Sequence, residues 1–366
     1  MNVTFEERPS LHGYRIAIAS LDAPASLNAL SLPMIDALQD RLQAWAGDAN
    51  IACVLLRGNG GKAFCAGGDV VQLAKQCLAS PGEAPELAER FFAREYRLDH
   101  YLHTYPKPLL CWAHGHVLGG GMGLLQGAGI RIVTPSSRLA MPEISIGLFP
   151  DVGGSHFLSR LPGKLGLFFG LTASPLNARD ALDLNLADRF LLDTQQDALI
   201  EGLVQLNWRD QPGLQLHSLL KALEQQAHGE LPAAQWLPRR ERIDALLDQA
   251  TLPLSWNALA SLENDDDALL AKAAKTMLGG SPLTGHLVWE QIRRARHLSL
   301  AQVFQMEYGM SLNCCRHPEF AEGVRARLID KDQTPHWHWP EVASVPAEVI
   351  AAHFTTPSDH PLADLA

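Results

Sequence analysis

The sequence predicts an α/β protein with parallel strands, and three observations carry that prediction. Near the amino end an alternating apolar segment, an amphipathic helical segment and a second apolar run follow one another, which is a βαβ beginning. Two apolar runs, one ending near Arg57 and one at Ala113, lead into glycine-rich turns that are each followed by helical character. The chain has 366 residues, enough to bury a substantial core and more than one typical domain needs, so a main domain with an appendage is expected.

Taken in order, residues 14–21 alternate around Ile16 and Ile18 and predict the first strand. A turn at Leu21-Asp22-Ala23-Pro24 leads to Ser31, an N-cap two residues before Pro33. Met34, Ile35, Leu38, Leu42 and Trp45 then share one helical face, and Gly47-Asp48 stops that helix. Residues 51–57 form the second strand, which runs into a glycine-rich exit from Gly58 to Asp69, and Asp69 opens a helix. After a surface linker at 80–85 a long amphipathic helix reaches about His103, with Phe91, Phe92, Leu98 and Leu102 on its apolar side. Glu95, four residues after Phe91 and three before Leu98, suits a boundary salt bridge and a functional carboxylate equally well. Leu109-Leu110-Cys111-Trp112-Ala113 is a buried strand, followed by Gly119, Gly120 and Gly121 and a helical segment beginning near Met122. Segments 161–171 and 178–186 are helical, and 211–240 should hold short helices and exposed loops because of Pro212-Gly213, Gly229 and Pro232. Asn264-Asp265-Asp266-Asp267 reads as a solvated acidic turn. Ser281-Pro282 starts a helix, and Ser299 with Gln302 forms a capping box that starts another.

Composition narrows the function. A net charge of −10 argues against nucleic acid or an anionic membrane as partner. The six cysteines lack zinc-site spacing and a chain of this length needs no disulfide frame, so a reduced, cytoplasmic protein is expected. The first ten residues do not resemble a signal peptide. The uncharged run 108–130 is long enough for a membrane span, but its seven glycines and two histidines favour a buried turn-and-helix unit.

The chemistry concentrates in residues 114–155. A strand, a glycine turn and a helix start leave backbone N–H groups pointing out of the turn, where the helix dipole favours negative charge. The two glycine turns can each give one N–H, from Gly68 and from Gly120, to an oxyanion hole. Such a hole serves an enolate as well as a tetrahedral intermediate. Glu143 and Asp151 follow, flanking the turn-rich Gly147-Leu148-Phe149-Pro150. Packing glycines and solvated acids are the plain alternative, with Asp151 then capping the turn at Val152-Gly153-Gly154. There is no GxSxG elbow and no HExxH. Cys65, between Phe64 and Ala66, reads as a buried thiol; His114 and His116 read as structural, and His336 and His338 as packing of a tail rich in Pro, Trp and His. Carboxylate chemistry with Glu143 and Asp151 remains.

Lys62-Ala63-Phe64-Cys65-Ala66-Gly67-Gly68-Asp69, His114-Gly115 with Gly119-Gly120-Gly121, and Met141-Pro142-Glu143 together resemble the crotonase (enoyl-CoA hydratase/isomerase) superfamily. Within it the chain is most similar to the 3-hydroxyisobutyryl-CoA hydrolases, through Phe91-Phe92-x-x-Glu95-Tyr96, the run from Ala140 to Gly154, Met306-Glu307-Tyr308 and Glu322-Gly323-Val324-Arg325-Ala326. The resemblance implies a crotonase fold of repeated ββα turns, with a core over 1–205 that carries the oxyanion hole and catalytic carboxylates. A mainly helical region over 206–366 would complete the fold. It implies an acyl-CoA thioester with its carbonyl on the N–H groups of Gly68 and Gly120, substrate-binding or catalytic roles for Glu95, Gly120, Glu143 and Asp151, and no metal or redox cofactor, coenzyme A being part of the substrate. A homo-oligomer is compatible with it. Hydratases of the superfamily have a second glutamate just after the glycine triplet, where this chain has Gly123, and typically a glycine where it has Asp151. That exchange suits hydrolysis of a short 3-hydroxyacyl-CoA. An enoyl-CoA isomerase or hydratase, or a silent acyl-CoA-binding protein, are the rivals.

Overall fold

A computed structural model describes residues 2–366. The chain forms two compact units, each assembled from three stretches. The first takes the chain up to Gly68, Tyr101–Leu139 and Leu176–Leu237; the second takes Asp69–His100, Ala140–Pro175 and Pro238–Ala366. The units therefore interleave along the sequence, where a division near residue 205 was expected. Linear composition does not reveal which distant stretches return to the same core.

The first unit holds the strands β1 (Val3–Pro9), β2 (Arg15–Leu21), β3 (Ile51–Gly58), β4 (Ala63–Cys65), β5 (Leu109–Ala113), β6 (His116–Leu118), β7 (Ile130–Val133), β8 (Arg138–Ala140) and β9 (Arg189–Phe190). They form a six-stranded sheet in the order β1-β2-β3-β5-β7-β9 and a three-stranded sheet in the order β4-β6-β8. Apart from the antiparallel β1–β2 pair, neighbours in the large sheet are parallel. The ββα repeat is explicit in chain order: β3, β4 and helix Val70–Ala79; β5, β6 and helix Gly120–Gly127; β7, β8 and the 3₁₀ turn Glu143–Ile146. The first strand of each repeat joins the large sheet and the second joins the small one. All five residues of β5 are buried, as a parallel strand covered on both faces requires. Ile16, Ile18, Leu55, Leu110, Trp112 and Ile132 form a core with Leu199, Ile200, Leu203, Leu216 and Leu220, from helices Gln196–Gln205 and Pro212–Ala227.

Helix Leu32–Gly47 buries Met34, Ile35, Leu38, Leu42 and Trp45, the face the spacing gave, although Ser31 makes no side-chain cap bond. β1 was not anticipated: its VTFEERP sequence is half polar because it is an edge strand with one exposed face. Of the short helices and loops expected over 211–240, the 3₁₀ helices His228–Glu230 and Leu237–Arg239 are present, but a 16-residue helix, Pro212–Ala227, precedes them. Pro212 stands at its first position, where proline's missing N–H costs nothing, so it starts the helix and does not break one.

The second unit is helical. Ser281 caps helix Pro282–Ala295 through Thr284 N–H (3.0 Å), and Ser299 with Gln302 forms the expected capping box of helix Leu300–Arg316. The acidic turn is structural and not merely solvated: Asp267 caps helix Ala268–Leu278 and pairs with Arg239 (2.6 Å), and Asp265 pairs with Arg242. Tail packing also holds, with Trp339 stacked on His317 at 4.8 Å and His338 edge-on to Trp339 at 4.6 Å. No helix among the described residues is long and apolar enough to cross a membrane.

Candidate active site

In the first unit the candidate groups are main-chain amides. β4 ends at Cys65, and Gly67 (φ +106°) then turns the chain, its carbonyl accepting from Leu30 N–H at 2.8 Å. β6 runs into Gly119 (φ +47°), which caps helix Gly120–Gly127. Gly120 is the first residue of that helix, so its N–H has no partner within it. The two turns lie side by side: a Cβ on Gly67 would stand 3.5 Å from Leu118 O and 3.9 Å from Gly120 N. At Gly121 a Cβ would fall 2.3 Å from Cys65 O, so only glycine lets the helix start sit against β4. The structure therefore places Gly68 and Gly120 on neighbouring turns. His114 is structural, its Nε2 on Gly60 O at 2.7 Å; His116 is exposed, and its backbone N–H donates to Lys62 O. Cys65 is buried, and none of the six cysteines forms a disulfide.

In the second unit the candidate groups are buried carboxylates. Glu95 (2% exposed) is on helix Glu86–His103, Glu143 (4%) opens the 3₁₀ turn, and Asp151 (4%) follows Pro150. The boundary salt-bridge reading of Glu95 fails on this burial. Among the other equally buried acids of this unit are Asp99 at 1% and Glu307 at 0%. One oxygen of Glu95, one of Glu143 and both of Asp99 have no hydrogen-bond partner among the described residues. Buried polar atoms left unfilled are costly in a folded protein and mark places where a ligand can complete the bonding.

Asp151 is held in two ways. The Tyr96 hydroxyl donates to its Oδ2 at 2.6 Å and also meets Ser311 Oγ at 2.6 Å. Its loop is held by Glu307, whose carboxylate accepts from the N–H groups of Gly153 (2.8 Å) and Ser155 (2.9 Å). Val152 (φ +53°) and Gly153 (φ +83°) are both left-handed there, a conformation that a β-branched residue adopts only when its surroundings enforce it. Glu307 thus fills the capping role considered for Asp151, whose own carboxylate faces Tyr96.

Burial first, and the charge of Asp151 second, raise Glu143 and Glu95 well above the usual carboxylate range. Asp99 is raised likewise, by burial and then by Glu95. Burial also lifts Asp151, which the Tyr96 hydroxyl restrains to about 6. Glu307 reaches about 8, burial prevailing over the donors that favour its charge. Such acids do not all ionise together near neutral pH, which prepares the set for proton handling. No group of three or more His, Cys, Asp or Glu among the described residues is arranged to hold a metal.

Tyr96 and Glu307 lie within motifs that sequence reasoning matched, but without roles; Asp99 and Ser311 it did not single out. The signal for Asp99 was available, since Phe91, Glu95 and Asp99 are spaced by four and continue one helical face inward. Glu307 and Ser311 repeat that spacing on helix Leu300–Arg316.

A family model described as enoyl-CoA hydratase/isomerase matches residues 16–354. The chain is 36% identical over 345 residues to the mitochondrial 3-hydroxyisobutyryl-CoA hydrolase of Danio rerio, covering 93% of this chain and 87% of that one. To the Homo sapiens protein of the same name it is 33% identical over 338 residues, covering 92% and 85%. Among solved structures, a carnitinyl-CoA dehydratase from Mycobacterium thermoresistibile matches with a TM-score of 0.86 and 31% identity over 98% of each chain. An enoyl-CoA hydratase from Rhodobacter sphaeroides 2.4.1 matches with a TM-score of 0.81 and 29% identity, over 97% of this chain and 98% of that one.

Proposed function

The chain belongs to the enoyl-CoA hydratase/isomerase family, with its crotonase fold, and from that premise we propose that it hydrolyses the thioester of a short 3-hydroxyacyl-CoA, with 3-hydroxyisobutyryl-CoA as substrate and valine breakdown as its setting. The observation that carries the reading is the buried pair of Glu143, with an unfilled oxygen, and Asp151, held near pKa 6 by Tyr96. The thioester carbonyl accepts from the N–H groups of Gly68 and Gly120, which stabilise the charge that develops on it. Glu143 in its ionised form attacks the carbonyl carbon, giving an anhydride that water opens, or takes a proton from the water that attacks. Either route expels the CoA thiolate, which takes a proton from a buried acid held in its protonated form and leaves as the thiol. The attacking water, as it adds, returns a proton to that acid. Asp151 accepts the bond of the substrate's 3-hydroxyl or helps deliver a proton to the departing thiolate, and Glu95 shapes the acyl pocket. Hydrolysis moves no electrons, so no redox cofactor is called for. Six buried cysteines, none in a disulfide, support a reducing, cytoplasmic setting.

The solved structures named a dehydratase and a hydratase make the addition of water to an enoyl-CoA the second reading. Against it, helix Gly120–Gly127 carries no carboxylate, and Gly123 within it is buried. The deciding experiment gives the purified chain 3-hydroxyisobutyryl-CoA, isobutyryl-CoA and crotonyl-CoA while following free thiol and enoyl absorbance. Thiol release, fastest from the hydroxylated thioester, is expected. Loss of enoyl absorbance without thiol release refutes the hydrolase reading. Asp151→Asn should cost about ten- to a hundred-fold more kcat/KM on the hydroxylated thioester than on isobutyryl-CoA, since a hydrogen bond to a charged group contributes about 1.5–3 kcal/mol. Equal losses on both, with a lowered Tm, would reduce Asp151 to a structural part.

A further inference from the structure

Within the second unit a cavity of about 250 Å³ lies among residues that the proposed chemistry does not use. Leu158, Leu167 and Ile292 give it an apolar floor, and all three are buried. Trp289, half-buried on helix Pro282–Ala295, gives it a flat wall. Lys164, Arg293 and Arg296 stand around it, and the residues lining it include no carboxylate. In a chain of net charge −10, three cations around one hollow with an apolar floor run against the average.

The cations are incompletely neutralised. Among the described residues the Lys164 ammonium pairs with the exposed Asp248 at 3.5 Å, a pairing worth little in water, while Asp244 accepts from its backbone N–H. Glu290 is shared between Arg293 at 2.9 Å and Arg294 at 3.5 Å. Arg296 is exposed and has no ion pair among the described residues. Arg293 and Arg294 lie in the last turn of their helix and complement its dipole, which accounts for cations there. It does not account for the apolar floor or the indole wall.

We propose that this cavity is a second binding site, for a small organic anion: a carboxylate on a compact, flat or branched apolar body. A guanidinium engages a carboxylate through two parallel N–H donors, and Arg296 is unengaged. The apolar body goes to the floor and against the indole of Trp289. The volume is at the small end for ligand pockets, which suits a molecule of benzoate size and excludes a whole coenzyme A.

The test is isothermal titration of the full chain with sodium benzoate, with isobutyrate and inorganic phosphate as companion probes. Benzoate should bind saturably at one site with a Kd of about 0.1–5 mM, the range open to so few atoms. Arg296→Ala should weaken it at least about fivefold, with Tm and thioester hydrolysis unchanged, and Trp289→Leu should weaken benzoate more than isobutyrate. Phosphate binding as tightly as benzoate would mean charge without an apolar site and would overturn the proposal. So would benzoate affinity that is unchanged in Arg296→Ala, or an absence of saturation up to about 20 mM. Should Trp289→Leu fail to fold, the Arg296→Ala comparison decides alone.

Discussion

In the strand-built unit the groups offered to a ligand are amides of the main chain, whereas in the helical unit they are carboxylates on side chains. The difference governs how each is kept in working order. Gly120 is placed by backbone geometry alone: Gly119 and Gly67 supply left-handed turns, and Gly121 lets helix Gly120–Gly127 press on β4. An amide has no protonation state to lose, so nothing beyond position is needed. Glu143, Glu95 and Asp151 are placed by helices and loops that bury them, and there burial sets the charge as well as the position. The first unit should therefore fail through collisions and the second through protonation.

The largest effect is expected in the carboxylate unit. Glu143→Gln keeps shape and removes both nucleophile and base, so kcat should fall by about 10²- to 10⁴-fold while the Tm holds or rises. Holding or rising is the expected sign because burial disfavours the ionised acid that the amide replaces. A variant turning over at near wild-type kcat would remove Glu143 from the chemistry.

The glycine unit should respond in stability before chemistry. Gly121→Ala places a methyl 2.3 Å from Cys65 O, against backbone that can only shift as a whole. Overpacking of that kind costs about 1–3 kcal/mol, readable as a lowered urea midpoint. If Gly121→Ala were as stable as wild type, the close seating of that helix on β4 would be wrong.

This contrast also explains what the sequence disclosed. The turns that carry Gly68 and Gly120 were legible because their neighbours Gly67, Gly119 and Gly121 need glycine, and glycine clusters are visible in a single sequence. The face of helix Leu32–Gly47 was legible because burial there follows a simple period. Glu143 and Asp151 were legible chiefly through motif likeness. Asp99 was legible only as to its face, through the spacing by four from Phe91 and Glu95; its burial was not, because an acid on an amphipathic helix reads as solvated until the packing on that face is known. The role of Glu307 was hidden for another reason: it bonds to amides 152 and 154 residues earlier, a separation no local pattern encodes. The interleaving of the two units was illegible on the same ground.

The smallest expected effect separates two uses of Asp151. Tyr96→Phe removes the hydroxyl that donates to Oδ2 and restrains the rise of its pKa, so the Asp151 pKa should move above about 6. If Asp151 works as a carboxylate accepting the substrate hydroxyl, a higher pKa leaves less of the active form at pH 7. The acid limb of kcat/KM then shifts to higher pH, and the deficit closes as pH rises toward about 9. One pKa unit corresponds to about 1.4 kcal/mol, so the loss at pH 7 should stay within about tenfold. If Asp151 instead gives a proton to the departing thiolate, the sign reverses: the higher pKa extends activity on the alkaline side, and pH 7 shows no loss. The measurement is kcat/KM for 3-hydroxyisobutyryl-CoA from about pH 5 to 9 in both proteins, with isobutyryl-CoA as the control that lacks the hydroxyl. A shifted acid limb on the hydroxylated thioester alone ties Tyr96 to hydroxyl recognition through Asp151. The same shift on both thioesters assigns Tyr96 to the carboxylate set as a whole.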